Sequence, residues 1–177
     1  MGIRIFFGLF IYNLIAKHLP CSSSSFKIGQ KQLRRLCGKM ILAKCGKNVN
    51  IEKNATFSSQ LEIGNNSGIG INSKLQGKII IGDNVMMGPN CTIYTRNHKH
   101  ERIDIPMNQQ GFDETKPVII GDDVWIGGGV TILPGVTIGQ GSIIGACTVV
   151  TKNVPDYSVV CGNPGRVVKN RKEANSL

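Results

Sequence analysis

The chain has 177 residues, enough for one domain with its own hydrophobic core. Hydrophobic residues make up 41% of it and charged residues 18%, a balance that excludes an intrinsically disordered chain. The 21 lysines and arginines exceed the 11 acidic residues, and the formal charge of +10 predicts an anionic partner. No basic block interleaved with aromatic residues marks a nucleic-acid site, and six cysteines without paired spacing favour reduced thiols in a cytoplasmic protein.

The first 44 residues predict a helical extension. Residues 3–16 are almost all apolar, but a helix needs about 20 such residues to cross a bilayer. We expect this helix to pack against the domain or a sister subunit. The alternatives are peripheral attachment to the inner face of a membrane and a cleaved signal peptide. A second, basic helix is predicted from Gln30 to Lys44.

From residue 45 the chain follows a period of six residues. A second, mostly small or β-branched residue stands four positions after each apolar anchor, as a narrow interior lined by strands requires. Eleven of the 14 residues three positions after an anchor are Asn, Asp or Gly, which tolerate positive φ and predict a sharp corner. Three six-residue sides close a triangular coil of 18 residues, so the anchors predict about five stacked coils. The anchors are Cys45, Ile51, Phe57, Ile63, Ile69, Leu75, Ile81, Met87 and Ile93, then Ile120, Ile126, Ile132, Ile138, Ile144 and Val150.

This repeat resembles that of the hexapeptide-repeat acyltransferases, in which an aliphatic residue, a Gly-like residue, two variable residues and a small residue recur. The resemblance covers residues 45 to about 170. It implies a β solenoid, a left-handed parallel β-helix of about five triangular coils with a helical N-terminal extension and one protruding loop. It divides the chain into a helical segment (1–44), the β-helix (45–160, with the inserted loop 96–117) and a basic tail (161–177). It also implies a homotrimer with each site shared between two subunits.

The period breaks between Ile93 and Ile120, where 27 residues separate two anchors instead of six. The inserted loop is polar and holds two of the three histidines of the chain. Loops on a rigid scaffold often carry function, so we expect the chemistry here.

The sequence around this loop resembles the active-site stretch of sugar and antibiotic O-acetyltransferases. The matching parts are Ile93-Tyr94-Thr95-Arg96-Asn97-His98, Asp104-Ile105-Pro106-Met107 and residues 116–127. The resemblance implies that His98 is the general base, because a neutral imidazole can accept the proton of an acceptor hydroxyl. His100 is the rival candidate.

Other positions match residues of this family that bind the two substrates. The resemblance implies backbone N–H donors near the thioester at Gly127 and Gly128. It implies contacts with acetyl-CoA for Trp125, Ala146, Thr151, Lys152, Arg166 and Lys169. Of these, Arg166 and Lys169 are expected to contact the phosphates. It implies acceptor contacts for Asn72, Asn97 and His100. The expected activity is direct transfer of acetyl from acetyl-CoA to a hydroxyl of a saccharide, such as a nucleotide-linked or lipid-linked sugar of surface-polysaccharide assembly, without a metal.

Two other functions stay open at this point. The chain could be a non-catalytic coil that serves as a scaffold or assembly protein. It could also be a zinc lyase, because the same prism hosts carbonic anhydrases that bind zinc through three histidines. The chain offers only His18, predicted within the first helix, and the loop residues His98 and His100.

Overall fold

Two helices precede the β-helix, as predicted. In the computed structural model, which describes residues 2–173, α1 spans Ile3–Leu14 and α2 spans Gln30–Ile41. The two helices meet at Gly8, where a side chain would collide with α2. Tyr12 is buried, and its hydroxyl donates a hydrogen bond of 2.7 Å to the carbonyl oxygen of Ala55. α1 is therefore fixed both to α2 and to the first coil.

Both helices end earlier than predicted. α1 gives way to a 3-10 turn, Ala16–His18. α2 stops at Ile41 rather than Lys44, because the N–H of Ala43 already donates to the carbonyl oxygen of Leu61 in the second coil. The backbone around residue 43 is thus committed to the sheet and cannot continue the helix.

The remainder of the described chain consists of short strands joined by tight turns. Strands β1 to β15 pair only in parallel with their neighbours, whereas β16 pairs in parallel with β14 and antiparallel with β17. The strands are β1 (Lys44–Cys45), β2 (Asn50–Ile51), β3 (Thr56–Phe57), β4 (Glu62–Ile63), β5 (Gly68–Ile69), β6 (Lys74–Leu75), β7 (Ile79–Ile81), β8 (Met86–Met87), β9 (Thr92–Ile93), β10 (Val118–Ile120), β11 (Trp125–Ile126), β12 (Thr131–Ile132), β13 (Thr137–Ile138), β14 (Ile143–Ile144), β15 (Val149–Val150), β16 (Ser158–Cys161) and β17 (Arg166–Asn170).

The strands form the three faces of a triangular prism. Face A contains β1, β4, β7, β10 and β13; face B contains β2, β5, β8, β11, β14 and β16; face C contains β3, β6, β9, β12 and β15. The pairing of Lys44 with Glu62 shows the step of 18 residues that the period predicts. The coils wind in the left-handed sense, so the predicted left-handed parallel β-helix is confirmed.

The β-helix has about six turns, where the sequence predicts about five. The sixth turn consists of a parallel bridge between Ile138 and Val154 and of β16, whose Val160 pairs with Ile144. The period of six places Asp156 at the next anchor position, so this turn lacks the apolar anchor that marks the others in the sequence. β17 then folds back along β16, and the tail predicted to begin at residue 161 starts inside β16. The last four residues of that tail, 174–177, lie outside the described residues.

The predicted interior and corners are present. The anchors Ile51, Ile93 and Ile132 are fully buried. Of the eleven corner residues that are Asn, Asp or Gly, all except Asn153 adopt positive φ, and Cys147 adopts it at an equivalent corner with φ of 59°. The corners therefore turn where short polar residues and glycine accept the left-handed conformation at little cost.

A buried arginine fastens α2 to the first coil. Arg34 is fully buried, its Nε donates to the carbonyl oxygen of Ile51 at 2.6 Å, and its guanidinium lies 3.6 Å from the carboxylate of Glu52. Burial by itself raises the pKa of the Glu52 carboxyl. Hydrogen bonds from Ser22 and Asn50 and the charge of Arg34 outweigh burial, so this pKa lies below its ordinary value. The buried charge is thus paired and hydrogen-bonded, as burial of a charge requires.

Faces A and B carry glycine directly after most of their anchors, whereas face C does not. At these glycines the backbones of successive coils approach so closely that an added Cβ would overlap the next coil. They are Gly46, Gly64, Gly82, Gly121 and Gly139 on face A and Gly70, Gly88, Gly127 and Gly145 on face B. The same positions of face C hold Ser58, Gln76, Tyr94, Leu133 and Thr151. The turn from face C to face A, which we name the C–A corner, is therefore lined by side chains.

Candidate functional site

The inserted loop leaves the prism at the C–A corner, between β9 and β10. The first residues of the loop and the side chains that follow the face C anchors line an open cavity of about 460 Å³. Its lining residues are Gln76, Tyr94, Arg96, Asn97, His98, Phe112 and Leu133. The structure therefore brings two of the predicted site residues, Asn97 and His98, into one cavity.

The loop backbone holds His98 opposite Phe112. The two residues form an antiparallel bridge, and the N–H of Asp113 donates a hydrogen bond of 2.9 Å to the carbonyl oxygen of Asn97. The ring centroids of His98 and Phe112 are 4.1 Å apart with an interplanar angle of 34°. This ring contact restricts the orientation of the imidazole, although the side chain of His98 is exposed to the cavity.

Arg96 makes the second contact with the same ring. Its Cζ atom lies 4.0 Å from the centroid of Phe112, within the range of a cation–π interaction. Among residues 2–173, no Asp or Glu forms an ion pair with Arg96. The cavity thus carries a positive charge beside the candidate base.

His100 lies outside the residues that line the cavity. Its side chain is exposed, and its Nδ1 atom is 3.4 Å from the carbonyl oxygen of His98. The loop beyond it is held by Arg102, which donates two hydrogen bonds to the carboxylate of Asp104 and thereby lowers the pKa of that carboxyl. The geometry thus favours His98 over His100 as a base that acts within the cavity.

The residues predicted to face the thioester lie at a different corner, the turn from face B to face C, which we name the B–C corner. Gly127 and Gly128 follow β11 there, and Ala146 follows β14 one coil later. The N–H of Gly127 donates to the carbonyl oxygen of Ile144 at 2.8 Å, so it is engaged within the prism, and a role for Gly127 beside the thioester stays a prediction. The N–H of Gly128 donates to no other group of the chain between residues 2 and 173.

Asn72, predicted to contact the acceptor, is also at the B–C corner. Its side-chain amide accepts a hydrogen bond of 3.2 Å from Asn54 and donates one of 3.1 Å to Asn90, so it forms a ladder along three coils. Its φ of 57° is that of a corner residue. The contacts of Asn72 are therefore those of a structural residue, and a contact with an acceptor stays a prediction.

The predicted coenzyme A contacts are distributed toward the C-terminal end of the prism. Trp125 is 51% exposed on the outer side of face B. Lys152 and Arg166 line one cavity of about 250 Å³, so two of the predicted cationic contacts lie together. Thr151 follows β15 at the C–A corner, and Lys169 is exposed on β17 outside the lining of that cavity.

Within one chain, the candidate base and the candidate oxyanion donor are separated. His98 is at the C–A corner and Gly128 is at the B–C corner, with the strands of face C between them. One prism alone therefore does not bring these two groups to the same reacting atom.

The three histidines do not converge on a common point. His18 lies in the 3-10 turn after α1, not in the helix as predicted, with its Nε2 atom 3.1 Å from the carbonyl oxygen of Asn13. The other two belong to the loop. Within the part of the chain that the structure describes, no three His, Cys, Asp or Glu side chains are grouped so that they could hold a metal ion.

Sequence reasoning missed several residues that line the cavity at the C–A corner. Gln76, Tyr94 and Leu133 could have been found, because they are the residues directly after the face C anchors once the inserted loop is left out of the count. Arg96 and Phe112 carry no such signal. Their contact depends on how the loop folds back on itself, and no repeat governs that.

Comparison with known proteins supports the same family as the repeat. A family model described as "Bacterial transferase hexapeptide (six repeats)" matches residues 60–95 and 117–152, on either side of the inserted loop. The solved structure of a maltose O-acetyltransferase from Clostridium difficile 630 is 34% identical, with a TM-score of 0.76 over 94% of this chain and 86% of that one. The chain belongs to the hexapeptide-repeat acyltransferase family. The family predicted from the sequence is thus confirmed.

Other members of the hexapeptide-repeat acyltransferase family are similar over shorter or comparable lengths. A galactoside acetyltransferase solved in complex with coenzyme A is 30% identical, with a TM-score of 0.78 over 97% of this chain and 82% of that one. The galactoside O-acetyltransferase of Escherichia coli (strain K12) is 38% identical over 137 residues, which are 74% of this chain and 65% of that protein. Against the curated relatives, the chain spans between 31% and 65% of their length.

Proposed function

We propose that the protein transfers an acetyl group from acetyl-CoA to a hydroxyl group of a saccharide, with His98 as the general base. The observation that carries this proposal is the cavity at the C–A corner, which combines the imidazole of His98 with the polar side chains of Gln76, Tyr94 and Asn97. Relatives named maltose and galactoside O-acetyltransferases, and a galactoside acetyltransferase solved with coenzyme A, support the reaction class and the donor.

The proposed chemistry is a direct transfer within a ternary complex. The imidazole of His98 accepts the proton of the acceptor hydroxyl while that oxygen forms a bond to the thioester carbonyl carbon. The N–H of Gly128 donates to the carbonyl oxygen as negative charge develops on it. The C–S bond then breaks, and the imidazolium returns its proton to the departing sulfur. No side chain of the protein forms a covalent intermediate.

We also propose that two copies of the chain complete each site. His98 of one copy would meet Gly128 of its neighbour across a groove between two prisms, which explains why one prism keeps these residues at different corners. Acetyl-CoA would lie in that groove against Trp125, with its phosphates toward Lys152 and Arg166. A closed ring of three copies gives three equivalent grooves.

Mixing two inactive variants tests the shared site. We expect His98→Ala and Gly128→Asp each to abolish most acetyl transfer alone. Refolded together in equal amounts, they should regain up to about a quarter of wild-type activity, because one groove in four then pairs an intact His98 with an intact Gly128. Thiol release from acetyl-CoA measures the recovery. Mixtures that assemble as the wild type does but stay inactive would place the whole site within one chain.

Phe112 is expected to position the imidazole of His98. Phe112→Ala removes the ring that lies 4.1 Å from the imidazole and should lower kcat by roughly tenfold, with little change in KM for acetyl-CoA, because a misplaced base slows only the chemical step. Phe112→Tyr keeps the ring and should restore most of kcat. Equal loss in both variants would show that the ring contact is not what matters.

The function itself is tested with the purified full chain, acetyl-CoA and a panel of saccharides that includes nucleotide-linked and lipid-linked sugars. Release of the coenzyme A thiol should coincide with a mass gain of one acetyl group on an acceptor. If no acceptor gains mass and calorimetry detects no binding of coenzyme A, the proposal fails and a non-catalytic scaffold is favoured.

A further inference from the structure

The positive charge of the chain is concentrated in its N-terminal segment. The first acidic residue in the sequence is Glu52, whereas residues 1–51 contain nine basic ones. The remainder, 52–177, is almost neutral, with 12 basic and 11 acidic residues. The formal charge of +10 therefore comes almost entirely from residues 1–51. The basic residues of this range are Arg4, Lys17, Lys27, Lys31, Arg34, Arg35, Lys39, Lys44 and Lys47.

One side of α1 is apolar and exposed. We name it the α1 apolar face; it consists of Ile3, Phe6, Phe7, Phe10 and Leu14, each at least half exposed. Four of them, at positions 3, 7, 10 and 14, recur at helical spacing and so lie along one line of the helix. The opposite side of α1 holds the buried Gly8 and Tyr12, which pack against the rest of the protein.

Basic residues border the α1 apolar face. Arg4 is exposed at its edge, and Lys17 follows the helix. Further exposed apolar side chains of the same segment, Phe26 and Ile28, flank the exposed Lys27. Aromatic and aliphatic side chains beside basic ones are the composition of helices that lie in the interface of an anionic bilayer.

We propose that α1 docks the protein on the surface of an anionic lipid bilayer, with the α1 apolar face inserted among the lipid headgroups and exposed basic residues of the segment, such as Arg4 and Lys27, facing lipid phosphates. This proposal concerns a surface apart from the cavity at the C–A corner and does not rest on acetyl transfer. None of the helices within residues 2–173 is long and apolar enough to cross a membrane. α1 itself spans 12 residues and would lie along the surface.

A second copy of the chain fits this face less well. An interface between two α1 segments would bring two clusters of positive charge together without a single acidic residue from residues 1–51 of either copy. Like charges placed opposite each other disfavour such a contact. A bilayer with anionic phosphate groups offers an apolar interior for the α1 apolar face and a charge opposite to that of the basic residues.

Co-sedimentation of the full chain with vesicles tests this proposal. We expect binding to vesicles of equal parts phosphatidylcholine and phosphatidylglycerol, and binding at least tenfold weaker to phosphatidylcholine alone. Phe7→Ser/Phe10→Ser should lower binding to the mixed vesicles at least tenfold. Both side chains are half exposed, at 50% and 55%, so the fold is retained. The matched control is Ile103→Ser/Val168→Ser, two exposed apolar residues elsewhere, and it should bind as the wild type does.

Any one of the following results would overturn the proposal. The wild type could fail to sediment with the mixed vesicles, or could bind both vesicle types equally. The double serine variant could retain its binding. It could also leave vesicle binding unchanged and reduce the number of copies in the assembly by light scattering, in which case a second copy covers the α1 apolar face. Circular dichroism of each variant verifies that the β-helix is intact.

Discussion

Replacing His98 with alanine is expected to lower kcat/KM for acetyl transfer by about a thousandfold, the range that positioned general bases contribute. The side chain is exposed at the cavity and packs on the ring of Phe112, so the substitution removes the proton acceptor and leaves the fold intact. His100→Ala is the matched control, since its ring lies outside the cavity lining, and its kcat at saturating acceptor should stay within about threefold of the wild type even if an acceptor contact is lost.

Steady-state release of the coenzyme A thiol with a saturating acceptor measures this effect. Calorimetric binding of coenzyme A should be the same for both variants and the wild type. If His98→Ala retained activity within tenfold of the wild type, or if His100→Ala were the damaging change, the assignment of the base would be wrong.

Replacing Gly70 with alanine is expected to destabilise the β-helix by about 3 kcal/mol or more, the upper range of forced overpacking. Its added Cβ would overlap the carbonyl oxygen of Gly88 in the next coil, and that oxygen belongs to the backbone and cannot turn aside. Separation of the two coils would weaken the parallel hydrogen bonds on face B. Urea unfolding followed by circular dichroism measures the loss.

Gly68 provides the matched control for this prediction. It lies two residues earlier on the same face, and a Cβ there would meet the carbonyl oxygen of Asn50 at 3.5 Å, an ordinary contact. Gly68→Ala should therefore unfold within about 0.5 kcal/mol of the wild type. Equal stability of the two variants would contradict the close packing of successive coils as the reason for glycine on faces A and B.

Much of the fold could be predicted because a strict repeat constrains it. The period of six predicts that anchors such as Ile63 and Ile126 point into the prism, and both are fully buried. Asn residues such as Asn66 mark corners because a short polar side chain accepts positive φ. What the period could not predict lies where it is absent, as in the sixth turn at Asp156.

The candidate site was predicted less completely, for a related reason. His98 could be named from a resemblance, but its partner Phe112 lies across a loop whose path follows no repeat. The N–H of Gly127 belongs to the hydrogen-bond ladder with Ile144, and a sequence pattern does not reveal which donors the ladder leaves free. The N–H of Gly128, the next residue, does not take part in this ladder.

The absence of glycine after the anchors of face C has a consequence for how this scaffold can diversify. On faces A and B a substitution at that position strains the winding of the backbone, whereas Gln76, Tyr94 and Leu133 occupy the equivalent place on face C without crowding the next coil. The close packing of successive coils thus depends on glycines of faces A and B, whereas the lining of the cavity depends on side chains that follow face C. Exchange of a few residues along this edge therefore changes the lining of the cavity at the C–A corner while the winding of the backbone stays the same.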